Sequence, residues 1–314
     1  MNIRNKILVT GSNGVLGTAI LKQLNLRGYK NVLSPSRFEM DLLNVESTIS
    51  YFEINKPDIV IHLASLVYGL LGNMNNQLRS LIGNTNINNN IFEAISKTNV
   101  VTKMFFAGTV AGYPYPYAND LLKECDFFGH GLPHDGEFGY AMSKRHAYAY
   151  LKILSEESDI KFTYGVFTNL YGINDKFDVI NGHVIPSLIS KAYTAKTTDG
   201  VLDVWGDGSG IRDFLYADDA ADATLLCLEA GCENEIINIS SGMGTPLSEV
   251  ANIVANNFGV KKINFSMHKP TGILRRTVDN TKLKSIGFSQ KFSIQNGLKI
   301  TSDWYSNNID KVRI

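Results

Sequence analysis

Apolar positions along this chain alternate between two spacings. Short β-branched or aliphatic runs occur at Lys6–Thr10, Asn31–Leu33, Ile59–Leu63, Met104–Ala107 and Phe162–Phe167, and each predicts a strand. The third follows Pro57-Asp58 and is nearly all apolar, as a strand buried on both faces must be. Longer stretches with helical spacing lie between them. Val15–Arg27 carries Leu16, Ile20, Leu21 and Leu24 on one stripe, and Gly28 ends it. Ile82–Thr98 and Tyr140–Ser155 read as further helices. Strand–helix alternation at this spacing predicts an α/β fold with a doubly wound parallel sheet.

After Asn169 the texture changes. Gly172, Gly182, Pro186, Gly206, Gly208 and Gly210 punctuate shorter helical segments. This predicts a smaller α/β domain packed over the carboxyl edge of the sheet, where ligands of open α/β sheets bind. The Ala- and Leu-rich stretch Asp218–Leu228 reads as a helix returning to the first domain. The expected division is residues 1–168 for a nucleotide-binding domain, with 213–240 returning to it. Residues 169–212 and 241–314 form the second domain.

The length of 314 residues, with 44% hydrophobic and 19% charged positions, suits one large domain or two interleaved ones. Lys plus Arg and Asp plus Glu number 30 each, which excludes a strongly basic nucleic-acid binder acting by bulk electrostatics. A local basic pocket for a phosphorylated ligand is still compatible with that balance. Three cysteines, Cys125, Cys227 and Cys232, cannot form a disulfide framework and fit a reducing compartment. The longest apolar stretch, Ile59 to Gly72, carries His62 and Ser65 and is too short to span a bilayer. Ile7-Leu8-Val9 is too short for a signal peptide. The expected location is therefore the cytoplasm, with neither nucleic acid nor membrane as a partner.

Between the first strand and the first helix lies Gly11-Ser12-Asn13-Gly14-Val15-Leu16-Gly17, a G-x-x-G-x-x-G loop of the Rossmann type. Its first glycine suits a tight turn, its second lets backbone approach a pyrophosphate, and its third lets helix pack on strand. The helix N-terminus offers N–H groups to the anion. After the second strand, Ser34-Pro35-Ser36-Arg37 contains no acid to hold a ribose 2′-hydroxyl. Arg37 instead suits a 2′-phosphate, which favours NADP. The competing reading takes Glu39 or Asp41 as the ribose acid and leaves Arg37 a surface residue.

Tyr140 and Lys144 stand four apart on one helical face. A free phenol has a pKa of about 10 and donates protons poorly near neutrality. A neighbouring ammonium is expected to lower that value, which suits proton transfer to a carbonyl oxygen.

With these residues the sequence resembles the extended short-chain dehydrogenase/reductases over nearly its whole length. The match covers Thr10–Gly17, His62-Leu63-Ala64-Ser65, Asn84, Gly108-Thr109, Tyr140–Lys144 and Asn169. Within that superfamily it is most similar to the GDP-L-fucose synthases. Thr168–Gly172, Asn174–Phe177, His183–Pro186, Val204–Gly208, Arg212–Leu215 and Asp218-Asp219 carry the likeness.

The resemblance implies roles. Tyr140 is the proton donor to a sugar C4 ketone, Lys144 holds the nicotinamide ribose, and Thr109 stands where the family has Ser. The glycine loop, Arg37, Asp41, Leu42, Leu63, Ala64, Ser65, Asn84, Phe167, Asn169 and Leu170 are expected along NADP. His183, Val184 and Asn169 are expected at the sugar, and Trp205 at the guanine or in the core. Arg212, and either Arg275 or Arg276, are expected at the diphosphate, with Lys191 a weaker candidate.

One departure stands out. The family carries a Cys two positions after that Ser, and with a His it moves protons at C3 and C5. Here the position is Ala111, while His183 matches the His.

The resulting expectation is an NADPH-dependent C4 reductase of a GDP-linked 4-keto hexose or heptose in surface polysaccharide synthesis. It lacks 3,5-epimerase activity, follows a separate epimerase, and pairs as a homodimer through helices near 84–98 and 140–156. The alternatives are a full epimerase-reductase and a non-catalytic NADP-binding regulator. Cys125, His130 and His134 offer three ligands without an evident fourth, so no metal is expected. His62 reads as a packed core histidine, and Tyr113–Tyr117 as a ligand loop or a surface turn.

Overall fold

The computed structural model describes residues 1–198, 200–267 and 272–313. Its first half runs β1 (Ile7–Thr10), α1 (Val15–Leu26), β2 (Val32–Leu33), α2 (Val45–Asn55), β3 (Ile59–His62), α3 (Leu70–Asn75), α4 (Gln77–Thr98), β4 (Lys103–Thr109), β5 (Leu121–Leu122), α5 (Phe138–Glu157) and β6 (Lys161–Phe167). There follow β7 (Asn169–Tyr171), α6 (Val184–Thr197), β8 (Val201–Trp205), β9 (Ile211–Tyr216), α7 (Ala217–Ala230), β10 (Glu235–Ile239), β11 (Gly244–Pro246), α8 (Leu247–Phe258), β12 (Lys262–Ser266), β13 (Arg275–Val278), α9 (Thr281–Ser285) and α10 (Ile294–Asn307).

Six strands form one parallel sheet in the order β10-β6-β4-β3-β1-β2. Every residue of β1 and β3 is buried, because helices cover both faces. Successive side chains alternate between faces. Ile7 and Val9 pack with Leu16, Ile20 and Leu24 of α1 and Leu225 of α7. Leu8 packs with Phe52 of α2, Ile91 and Phe92 of α4 and Leu151 of α5 on the other side. The strand order reverses at β1, which has β2 on one side and β3 on the other. Such a reversal opens a crevice at the carboxyl ends of the strands.

The second layer holds the five-stranded arrangement β11-β9-β13-β5, with β7 added beside β9, and the pair β12-β8. Helices α6, α8 and α10 pack there around Ile185, Leu188, Val250, Val254 and Leu298.

The predicted elements are present with shifted ends. The helix expected from Ile82 begins at Gln77, because the largely exposed segment Gln77-Leu78-Arg79 continues it beyond the buried stripe. The chain returns to the first layer with α7 and β10. However, β9 pairs with β7, β11 and β13 and belongs to the second layer, so the return starts at Ala217 and not at 213. Two-residue β5 sends the first half into the second sheet beside β13, a pairing with no periodicity to announce it. No helix among the described residues is long and apolar enough to cross a membrane.

Candidate active site

A cleft of about 1570 Å³ runs between the carboxyl edge of the large sheet and the second layer. The glycine loop lines one end. Gly11 has φ +68°, and a Cβ there would sit 2.8 Å from the Ala64 backbone nitrogen. A Cβ on Gly17 would lie 2.3 Å from the Gly11 oxygen. Side chains at either position would push the loop off the end of β3 or off α1. The tight backbone cradle beside a helix N-terminus therefore fits a dinucleotide pyrophosphate.

Thr10 and His62 brace this cradle. The Thr10 hydroxyl lies 2.7 Å from His62 Nδ1 and accepts from the Leu63 and Ala64 amides at 3.2 and 3.3 Å. Burial holds His62 neutral, its pKa lowered to about 3, and its Nε2 lies 3.1 Å from Asn88 Oδ1. It is a packed core residue, as its strand context predicts. Leu63, Ala64, Ser65, Phe167, Asn169 and Leu170 all line the cleft.

Asn84 does not line it. This residue is buried on α4, where its Oδ1 accepts from Ser65 Oγ at 2.9 Å and from the Leu66 amide at 2.7 Å. Its expected cofactor contact is corrected to a supporting one, because α4 runs behind the loop that follows β3.

At the adenosine end, Arg37, Asp41 and Leu42 line the cleft. Glu39 folds back on its own turn, its Oε2 accepting from the Ser36 amide at 2.8 Å, and it does not line the cleft. Asp41 turns one oxygen to the Leu43 amide at 3.0 Å.

Tyr140, Thr109 and Ser65 meet in the middle of the cleft. Burial raises the Tyr140 phenol to about 12, while the neighbouring Thr109 and Ser65 hydroxyls pull it down. Lys144 is 2% exposed, and its Nζ donates to the Ala107 carbonyl at 2.9 Å and sits 5.8 Å from the Tyr140 ring centroid. Burial lowers its pKa to about 7. The expectation that Lys144 pulls Tyr140 toward neutrality is thus not met: the ammonium is itself close to losing its proton, and burial of the phenol wins.

This predicts a trade between stability and function. A depressed lysine pKa means that the folded state resists the charge. The group's stabilising contribution is present above its unfolded value of about 10.4 and lost as pH falls toward 7. Lys144→Met is expected to raise Tm of the ligand-free protein at pH 7 by about 2 °C or more, read by calorimetry. A fall in Tm would show that the Ala107 contact outweighs desolvation.

On the substrate side, His183 caps the N-terminus of α6 without a side-chain bond and lines the cleft with Val184. Lys191 Nζ donates to the Asp203 carbonyl at 3.2 Å and lies 4.5 Å from the Trp205 ring centroid. Arg212 is lowered to about 10 by burial and by neighbouring Arg276. Arg276, and not Arg275, lines the cleft, because adjacent strand residues face opposite ways. Arg276 pairs with Glu137 and donates from Nε to the Tyr117 hydroxyl at 2.6 Å. Sequence spacing missed this triad, since its members lie far apart in the chain.

Ala111 is also corrected. It is 3% exposed in a short 3-10 turn, its amide donates to Thr109 Oγ1 at 3.2 Å, and it does not line the cleft, whereas Val110 does. Two residues given no role by the sequence also line the cleft: Asp175, inside the Asn174–Phe177 stretch that carries the likeness, whose buried Oδ2 has no partner, and Arg313. Cys125, His130 and His134 form no cluster of metal-ligating groups among the described residues.

Residues 7–240 match the profile of the NAD dependent epimerase/dehydratase family. The chain is 33% identical over 307 residues to GDP-L-fucose synthase 1 of Arabidopsis thaliana, covering 97% of this chain and 94% of that protein. It superposes with TM-score 0.90 on a GDP-6-OMe-4-keto-L-xylo-heptose reductase from C. jejuni, at 26% identity over 98% of this chain and 99% of that one. For a GDP-mannoheptose C4 reductase from Campylobacter jejuni with NADP bound, the TM-score is 0.86 at 27% identity, covering 98% and 99%.

Proposed function

We propose that this chain, which belongs to the NAD dependent epimerase/dehydratase family, is an NADPH-dependent C4 reductase of a GDP-linked 4-keto sugar. The observation that carries this reading is one cleft joining the glycine cradle, the Thr109–Tyr140 hydroxyls and Arg212 with Arg276. The glycine loop and Arg37 would hold NADPH, which would supply a hydride to the C4 carbonyl carbon.

The protein's own groups do the rest. Tyr140 holds its proton at neutral pH and donates it to the C4 oxygen as charge develops there. Thr109 and Ser65 orient the phenol and stabilise the transient oxyanion. Lys144, fixed on the Ala107 carbonyl, carries a proton that is readily lost near pH 7 and resupplies Tyr140 after turnover. Arg212 and Arg276 meet the diphosphate, and Trp205 meets the guanine. Arg37 at the adenosine end favours the 2′-phosphate of NADP.

The substrate is a 6-deoxyhexose or a heptose whose C3 and C5 configuration is already set by a separate epimerase, on a route to surface polysaccharide. The enzyme is cytoplasmic and pairs as a homodimer through α4 and α5, where Leu78, Ile82 and Ile153 are exposed.

The test is direct. NADPH fluorescence is expected to decay when a GDP-4-keto-6-deoxyhexose or GDP-4-keto-heptose is added, with one NADPH consumed per C4 ketone reduced to a hydroxyl. Tight NADPH binding without turnover on either sugar would favour a cofactor-binding regulator instead.

A further inference from the structure

The glycine loop carries no basic side chain of its own. From Gly11 to Gly17 every residue is neutral, and no basic residue stands in the first turn of α1. A dinucleotide pyrophosphate brings two negative charges, whereas a helix N-terminus supplies only about half a positive charge. Arg37 stands at the adenosine end of the cleft and Lys144 beside Tyr140, so neither faces the middle of the loop.

A cation reaches that loop from the far end of the sequence. Val312 packs into the core of the second layer. Arg313 forms an isolated parallel bridge with Lys176, its carbonyl accepting from the Phe177 amide at 2.8 Å. This fixes the backbone of the segment. The Arg313 guanidinium then spans the two layers: Nη1 donates to the Asn13 carbonyl in the glycine loop at 3.1 Å and to the Asn174 carbonyl at 3.2 Å. Arg313 lines the cleft, and its Nε and Nη2 make no hydrogen bond to any described residue. It also faces the buried carboxyl of Asp175, whose pKa burial raises and Arg313 partly offsets.

We infer that Arg313 is a cofactor-contacting residue. It uses one nitrogen to clip the substrate layer to the glycine loop and offers the remaining N–H groups to the dinucleotide pyrophosphate. A guanidinium suits this because its planar fork presents several donors at once. The inference rests on the oxidoreductase reading above. It extends that reading by placing in the second layer the cation that the Rossmann loop lacks.

Three ligands separate the possibilities, each titrated calorimetrically against wild type, Arg313→Ala and Arg37→Ala. NADPH carries both pyrophosphate and 2′-phosphate, NADH only the pyrophosphate, and adenosine 2′-phosphate only the 2′-phosphate. Arg313→Ala is expected to weaken NADPH and NADH by the same factor, about 10- to 100-fold, and to leave adenosine 2′-phosphate unchanged. Arg37→Ala is expected to give the opposite pattern, weakening NADPH and adenosine 2′-phosphate while sparing NADH. Arg313→Lys, which keeps the charge and loses the fork, should fall between wild type and Arg313→Ala.

Equal losses for all three ligands in Arg313→Ala would reduce the residue to a structural clip and overturn the inference. Unchanged NADPH and NADH affinities would also overturn it. Wild-type protein that binds neither dinucleotide would sink the oxidoreductase reading itself, and the clamp with it.

Discussion

Tyr140→Phe is expected to lower kcat for ketone reduction by about 10²–10⁴, the usual worth of a positioned general acid, with NADPH affinity nearly unchanged. The ring's packing is kept and only the hydroxyl is removed. The size follows from the surroundings. Burial raises the phenol to about 12, so it is fully protonated across the physiological range and the loss does not depend on pH below about 10. The described groups beside the phenol do not take its place: Thr109 and Ser65 are hydroxyls of higher intrinsic pKa, and Lys144 Nζ stands 5.8 Å from the ring centroid, on the Ala107 carbonyl. Stopped-flow decay of NADPH fluorescence on a GDP-4-keto sugar separates hydride transfer from product release. Wild-type turnover in the Phe variant would remove Tyr140 from the chemistry.

Incubation with a GDP-4-keto sugar and NADP⁺ in D₂O is expected to give no more deuterium at C3 and C5 than a protein-free control. Exchange needs a base within about 3 Å of the carbon-bound hydrogen and an acid to return the proton. The Ala111 side chain has neither lone pair nor titratable group, and it is buried and does not line the cleft. Glu137 is committed to Arg276 and held below the ordinary carboxyl range by it, against the upward push of burial. His183 lines the cleft but has no thiol opposite. Asp175 is the group that would overturn this. Its carboxyl is buried, raised by desolvation and unpartnered at Oδ2. Rapid exchange that disappears in Asp175→Asn would identify it as an unrecognised base and restore the epimerase-reductase reading.

The first layer was legible because local signals and global packing agree there. Burial of β1 and β3 on both faces demands apolar runs, and the stripe on α1 demands 3.6-residue spacing, so period alone predicts both. Gly11 and Gly17 are required by close backbone approach, which no larger residue permits. Tyr140 and Lys144 share a helical face by spacing, and the structure brings them to the cleft with Thr109 and His183.

What spacing could not carry were the decisions made by distant segments. Whether Arg275 or Arg276 faces the cleft depends on the register of β13 against β9, set by pairing across more than sixty positions of chain. Asn84 was displaced from the cofactor to a supporting position by the path of α4, and Ala111 from the substrate by a tight 3-10 turn.

The proton affinities of Tyr140 and Lys144 depend on desolvation, a property of everything packed around them, so the four-residue spacing that brought them together did not predict their values. Arg313 reaches Asn13 across 300 positions. The sequence by itself determined the parallel sheet, the glycine cradle and the shared face of Tyr140 and Lys144, because period, turn geometry and helical facing are local. The tertiary structure alone decided burial, register and the contacts between layers, because these arise from segments that meet only once the chain has folded.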